Sequence, residues 1–314
     1  MKATLYTILA LLAFAANSLL CRMALAEGYI DPWNFTIIRL LGGAVCLAII
    51  MTVHQYRLKR QSSTYDNSSV SDVSKDSILQ DSILQDKGSW LSSISLVVYA
   101  LCFSLAYVEL DTGTGALLLF AAVQFTMIGW GIYQKEQLSR VQWAALFIAF
   151  TGFVYLMLPS AAVPSLFGAV IMTMSGIAWG IYSIRGKTCV SPIRATGFNF
   201  IRSLAALPLL LWAGMNYLAD MRAEGVMLAS ISGAITSGVG YSLWYMAMPL
   251  LKSTQAAVVQ FCVPVLAAIL GMVFLSEQLT VRFIIASVVI LGAVAVFVLN
   301  KKKPKLSTQA RAVE

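Results

Sequence analysis

The sequence has a single histidine, His54, and little charge of either sign: 11% of its 314 residues are Asp, Glu, Lys or Arg. Without a second imidazole, no histidine-based metal site can form, and no Ser-His or Cys-His pair can be placed inside an apolar segment. The pattern G-x-x-x-x-G-K-[ST] is absent, so the chain offers no phosphate-cradling loop for nucleotide hydrolysis. Five cysteines, Cys21, Cys46, Cys102, Cys189 and Cys262, stand far apart with no C-x-x-C spacing, which suits packing rather than a disulfide framework. These absences point away from an enzyme and from any bound cofactor or metal.

Acidic residues are missing from one kind of place. Glu27, Asp31, Glu109, Asp111, Glu136, Asp220, Glu224 and Glu277 fall at the ends of apolar stretches, and the remainder lie in one long polar segment or near the C-terminus. A relay of buried carboxylates, as proton-driven pumps use, is hard to assemble from them.

What is present is apolar length. Hydrophobic residues make up 59% of the chain and the mean hydropathy is +0.79, far from the balance of a soluble domain. Ten runs recur, at roughly 3–26, 34–53, 89–110, 112–134, 140–158, 164–184, 195–214, 226–249, 253–275 and 281–299, each long enough to cross a membrane as helix. The first is too long for the h-region of a cleaved signal peptide. An all-α integral membrane protein with ten transmembrane helices is expected.

The net charge of +8 would suggest nucleic acid in a soluble protein, but here its distribution carries the information. With the N-terminus in the cytoplasm, seventeen Lys and Arg fall inside and only Arg22, Arg222 and Arg282 outside. That asymmetry places both termini in the cytoplasm and leaves no role for nucleic acid. The compact loops suggest a bacterial cell inner membrane. The basic tail, 301–314, with Lys301, Lys302, Lys303 and Lys305, suits attraction to anionic membrane lipid.

Two arginines, Arg39 and Arg202, remain inside spans. Phe35 to Arg39 and Phe198 to Arg202 share the pattern F-x-x-I-R at an offset of 163, which also pairs Arg22 with Arg185. Further on, Ser104-Leu105-Ala106-Tyr107 matches Ser242-Leu243-Trp244-Tyr245 at 138, and Glu136-Gln137-Leu138 matches Glu277-Gln278-Leu279 at 141. The chain therefore reads as two copies of a five-helix unit, 1–158 and 159–300. The first carries about 25 extra residues in a polar stretch, 54–88, with a tandem DSILQ from Asp76 to Gln85, expected to be a disordered cytoplasmic loop. An odd number of spans per copy makes the copies inverted, the geometry of alternating access in many secondary transporters.

These residues resemble the drug/metabolite transporter superfamily, EamA-type. The resemblance rests on the arginine early in spans 2 and 7, the E-Q-L-S/T turns at Glu136 and Glu277, Pro264 in span 9, and the small-residue ends at Gly152 and Gly292. It implies a polytopic permease, often an exporter of amino acids, metabolites or toxic compounds, with spans 5 and 10 peripheral to a central cavity. Span 4 carries Val123 where span 9 carries Pro264, so a proline bend is expected in one half only.

Arg39 and Arg202 each lie about 12 Å into the membrane, near the limit of snorkelling. Either could satisfy backbone carbonyls at the repeat interface, or clamp a substrate carboxylate or phosphate. Repetition favours architecture at Arg39. At Arg202 the aromatics Trp179, Tyr182, Trp244 and Tyr245 shift the reading towards a substrate vestibule suited to a zwitterion, if they face inward rather than forming an interfacial belt. Asn17, Tyr107, Gln124, Tyr241 and Gln260 lie deeper and suit hydrogen bonds between helices or to a ligand. Ser139 with Gln142 fits a capping box, and Glu136 and Glu277 are expected to pin their hairpins.

The function expected is secondary transport of small polar or amphiphilic metabolites, with a small-molecule substrate, surrounding lipid and a homodimer as the partners to test. The rivals are a carrier of lipid-linked or nucleotide sugars, which would want more cavity cations, and a non-transporting membrane scaffold or sensor.

Overall fold

The structure, a computed structural model, describes residues 2–65, 86–110, 112–157, 166–275 and 281–300. The tandem DSILQ repeat, Asp111, Glu277 and the 301–314 tail lie outside the described residues. Among those described, the regular elements are all helical. In chain order they are α1 Lys2–Ala26, α2 Pro32–Tyr65, α3 Trp90–Glu109, α4 Thr112–Tyr133, α5 Arg140–Met157 and α6 Leu166–Arg185. There follow α7 Pro192–Ser203, α8 Leu207–Gly214, α9 Ala223–Ile231, α10 Gly240–Ala247, α11 Ser253–Val259, α12 Cys262–Leu275 and α13 Val281–Leu299. Seven described stretches are long and apolar enough to cross a membrane, and Leu118–Tyr133 and Ile284–Leu299 are shorter apolar helices. Large apolar side chains such as Leu5, Ile49, Phe147 and Val288 point outward, as a lipid-facing surface requires.

Several boundaries differ from the sequence expectation. The α2 helix runs to Tyr65, well past the predicted end of its span at 53, so the first part of the expected loop is helix. Its last turns contain Arg57, Leu58, Lys59, Arg60 and Gln61, good helix formers with no Gly or Pro among them. At the other edge, residues 86–89 dock on the second half: the Asp86 carboxylate accepts from the Val190 and Ser191 amides, and Ser89 N–H donates to Asn199 Oδ1 at 3.0 Å. Gly88 is required there, because its φ is +63° and a Cβ would lie 2.3 Å from Asn199 Oδ1.

Prolines break two of the expected spans. Pro208, with no N–H to donate, follows a 3-10 turn at Leu204–Ala206 that separates α7 from α8. Pro264 follows the break at Gln260 and Phe261 between α11 and α12, while α4 runs through the matching position, Val123, unbroken. The predicted asymmetry between halves is present. Between α9 and α10 the chain widens into a π-helical segment, Ser232–Val239, whose sequence SGAITSGV is rich in small and hydroxyl residues.

Packing pairs the halves in reciprocal fashion. The α6 helix lies against α3 and α4, while α1 lies against α10 and α12; α2 lies along the π segment and α9; α5 packs mainly on α13. Small residues permit the closest approaches. A Cβ on Gly176 would sit 2.3 Å from the Leu119 carbonyl oxygen, and one on Gly233 would sit 2.3 Å from that of Arg39. Such contacts gain dispersion energy where burial from lipid provides little hydrophobic drive.

Candidate functional site: a buried arginine in an aromatic cluster

Arg39 lies at the seam between α2, α3 and the π segment and is only 1% exposed. Its Nε donates to Ser237 Oγ at 3.0 Å and its Nη2 to the Tyr99 hydroxyl at 3.2 Å and to the Tyr241 hydroxyl. The Tyr241 hydroxyl in turn lies 3.2 Å from that of Tyr99. The guanidinium carbon stands 5.2 Å from the Tyr99 ring centroid and 5.4 Å from that of Phe103, within cation-π range. Nη1 is buried with no hydrogen-bond partner. The salt bridge seen among the described residues, Lys187 with Glu136, involves other groups, so Arg39 is a buried cation held by hydroxyls and ring faces.

The local fold explains this placement. Gly233 lets the π segment touch the α2 backbone at Arg39 itself, and the wider turn from Ser232 to Val239 brings Ser237 and Tyr241 to one guanidinium. Gly43, one turn along α2, accommodates the Phe200 ring, which in turn lies 6.0 Å from Tyr241.

Aromatic side chains surround the cluster. Trp179 stands 4.7 Å from Tyr241, 4.9 Å from Tyr99 and 5.0 Å from Phe14; Tyr182 stacks on it at 5.6 Å and meets Tyr245 at 4.7 Å. Three of their polar atoms are spent within the cluster, Trp179 Nε1 donating to Gln260 Oε1, Trp244 Nε1 to Ser183 Oγ, and the Tyr245 hydroxyl to the Tyr182 carbonyl, each at 2.9 Å, while the Tyr182 hydroxyl is buried with no partner among the described residues. The interfacial-belt alternative thus fails for Trp179, Tyr182, Trp244 and Tyr245, which are all buried. Trp130 and Tyr133, by contrast, are exposed.

The remaining sequence-selected residues divide. Asn17 Oδ1 accepts from Ser232 Oγ at 2.6 Å and Thr236 Oγ1 at 3.0 Å, tying α1 to the π segment. Gln124 Nε2 donates to the Ala257 carbonyl at 2.7 Å, a group near the break before Pro264, and Gln260 sits in that break. These act as links between helices. Tyr107 is buried with its ring 4.7 Å from Phe103. Arg202 does not join the inner aromatics as expected. It donates to the Lys87 carbonyl and lies over the Trp90 ring at 5.6 Å, at the edge of the α7 face that buries Asn199, Phe200 and Ser203. Sequence reasoning missed Tyr99, Ser237, Phe14 and Phe103; a mid-span tyrosine at 99 was as visible as the one chosen at 107.

A second polar group stitches one end of the bundle. Glu136 accepts from the Ser253 and Thr254 amides at 2.8 and 3.1 Å, from Thr254 Oγ1 at 2.9 Å and from Lys187 Nζ at 3.3 Å. It therefore anchors the start of α11 in the other half instead of its own hairpin. Partial burial pushes its carboxyl pKa up, but the Thr254 and Ser253 bonds with the Lys187 charge outweigh this and hold it below the ordinary value. Nearby, Arg185 Nε donates to Ser89 and Ser92 Oγ at 3.2 and 3.0 Å. Ser139 and Gln142 form the expected capping box at α5. An open apolar crevice of about 350 Å³, lined by Phe125, Phe147, Phe150 and Phe261, shares no residue with the Arg39 cluster.

A helical bundle with an apolar exterior, built around the buried Arg39 and a shell of aromatics, defines a multi-pass membrane protein with a polar centre. Its kinship is specific. Residues 166–299 match the EamA-like transporter family. An uncharacterized protein of Pseudomonas aeruginosa is 40% identical over 310 residues, covering 99% of this chain and 98% of its own length. An uncharacterized transporter of Archaeoglobus fulgidus is 27% identical over 64% of this chain and 74% of its own, and the uncharacterized transporter YoaV of Bacillus subtilis 20% over 83% and 85%. A solved crystal structure superposes with a TM-score of 0.70 over 95% of this chain and 97% of that one at 16% identity, which establishes a shared fold. The chain belongs to the EamA-like transporter family and is a membrane transporter.

Proposed function

We propose that the protein is a secondary transporter that exports small polar or amphiphilic metabolites, such as amino acids or drugs, across the inner membrane by alternating access. The observation that carries this reading is the seating of Arg39: a first-half guanidinium whose acceptors come from α3 of its own half and from Ser237 and Tyr241 of the second. A centre assembled from both halves is where a substrate could be reached from either side as the halves rock. The reciprocal packing of α6 on α3 and α4, and of α1 on α10 and α12, supports two inverted repeats of five spans, with both termini cytoplasmic. On that topology, Glu136 with Lys187, Arg185 with Ser89, and Arg202 with Lys87 close the cytoplasmic end. A single central cation among the described residues argues against a nucleotide-sugar carrier, whose diphosphate would call for several.

Purified protein in liposomes tests this. Efflux or counterflow of one class of metabolite, abolished by Arg39→Gln in a protein of unchanged elution profile, is expected. Absence of flux for amino acids, amines, organic acids, sugar phosphates and lipophilic cations alike would favour a scaffold.

A further inference from the structure

The hydrogen-bond inventory at Arg39 does not balance, and the imbalance has one sign. A guanidinium carries five N–H donors and no acceptor. Nε and Nη2 are engaged by Ser237, Tyr99 and Tyr241, whereas Nη1 is buried and unpartnered. The tyrosines add to the excess. Tyr99 and Tyr241 both accept from Arg39 and share one proton between their hydroxyls, so whichever donates, the other hydroxyl proton has no acceptor among the described residues. Unspent donors and a net positive charge therefore meet at one point.

Charge limits the ligand further. Every described carboxylate lies at a helix end or in a turn, and Glu136 is committed to α11 and Lys187, so an ammonium group would find no anionic partner beside Arg39. No Lys or second Arg contacts the cluster among the described residues, so a dianion would be left half-neutralised in a low-dielectric site. Around the cation, Phe14, Tyr99, Phe103, Trp179 and Tyr241 present ring surface. We propose that the central site takes a monocarboxylate with a neutral, apolar or aromatic body, its carboxylate accepting from Arg39 Nη1 and from the surplus tyrosine hydroxyl. This narrows the substrate class and rests on the transport reading given above.

A thermal-unfolding series on the detergent-purified full chain separates the possibilities, using 3-phenylpropionate, its neutral amide, phenylalanine, phenethylamine and benzylphosphonate as probes. The carboxylate is expected to raise the midpoint most. Arg39→Gln should raise the concentration needed for half the effect by about tenfold or more, and Tyr99→Phe by a smaller factor, since charge-assisted bonds are the stronger ones. An equal shift with the amide or the amine, a carboxylate shift that survives both substitutions, or no shift with any probe would overturn the proposal. Should Arg39→Gln not fold, Tyr99→Phe carries the test alone, and an undiminished carboxylate effect overturns it. Liposome counterflow with the same probes keeps the two readings apart: transport of the amine without carboxylate binding sinks the substrate class and leaves transport standing, while no flux of any probe sinks both.

Discussion

A buried guanidinium with no carboxylate beside it among the described residues is costly, and Tyr99, Tyr241 and Ser237 are what make it tolerable. Removing one of those acceptors leaves a charged donor further undersatisfied. Tyr241→Phe is expected to lower stability by about 1–3 kcal/mol, read as a drop in the unfolding midpoint in detergent, and to reduce flux beyond what the stability loss explains. Arg39→Lys, a point charge that cannot span three acceptors, should not rescue it. The sequence made Arg39 legible because a charge inside an apolar run stands out and the F-x-x-I-R pattern repeats. It could not say which of the two arginines faces inward. That depends on rotation about α2 and α7, and α7 turns Asn199, Phe200 and Ser203 to the interior, leaving Arg202 at the edge with Trp90.

At the scale of the element, the π segment decides where Ser237 and Tyr241 point. It was not legible in the sequence, since SGAITSGV signals small residues and close packing but carries no period that distinguishes an α from a π turn. The break at Gln260 was legible, because Pro264 cannot donate to the preceding turn. Gly233 is the residue on which the segment's seating depends. Gly233→Ala puts a methyl against the Arg39 carbonyl and is expected to cost about 1–3 kcal/mol by overpacking, with a larger loss of flux. Gly129, with open space around its Cβ position, supplies the control: Gly129→Ala should be neutral to slightly stabilising. Equal effects of the two substitutions on midpoint and flux would show that the close approach does not matter.

Across the whole molecule, the expectation of ten spans and of a doubled chain rests on apolar run length and offset repeats, the structure shows seven described stretches long and apolar enough to span, and the contacts between the earlier and later helices came only from the structure. Glu136 illustrates the difference. Its position in an E-Q-L turn suggested a local pin, yet its carboxylate caps α11 more than a hundred residues away. Because its pKa is held below the ordinary value in the folded state, it contributes stability that is present above the unfolded-state pKa and lost as pH falls through the folded one. Wild type should therefore be more stable than Glu136→Gln at neutral pH, by about 1 kcal/mol at this partly exposed site, and their unfolding midpoints should converge below the ordinary carboxylate range. A difference that persists in acid would remove the carboxylate from the explanation.

The most direct measurement of an alternately exposed centre is the accessibility of a cysteine placed beside Arg39. With the five native cysteines replaced, Ser237→Cys would be treated with a membrane-impermeant maleimide in right-side-out and in inverted vesicles. Labelling from both sides, slowed by transported substrate, is the expected result. Labelling from one side only, or from neither while flux continues, would contradict a central site shared between two access states.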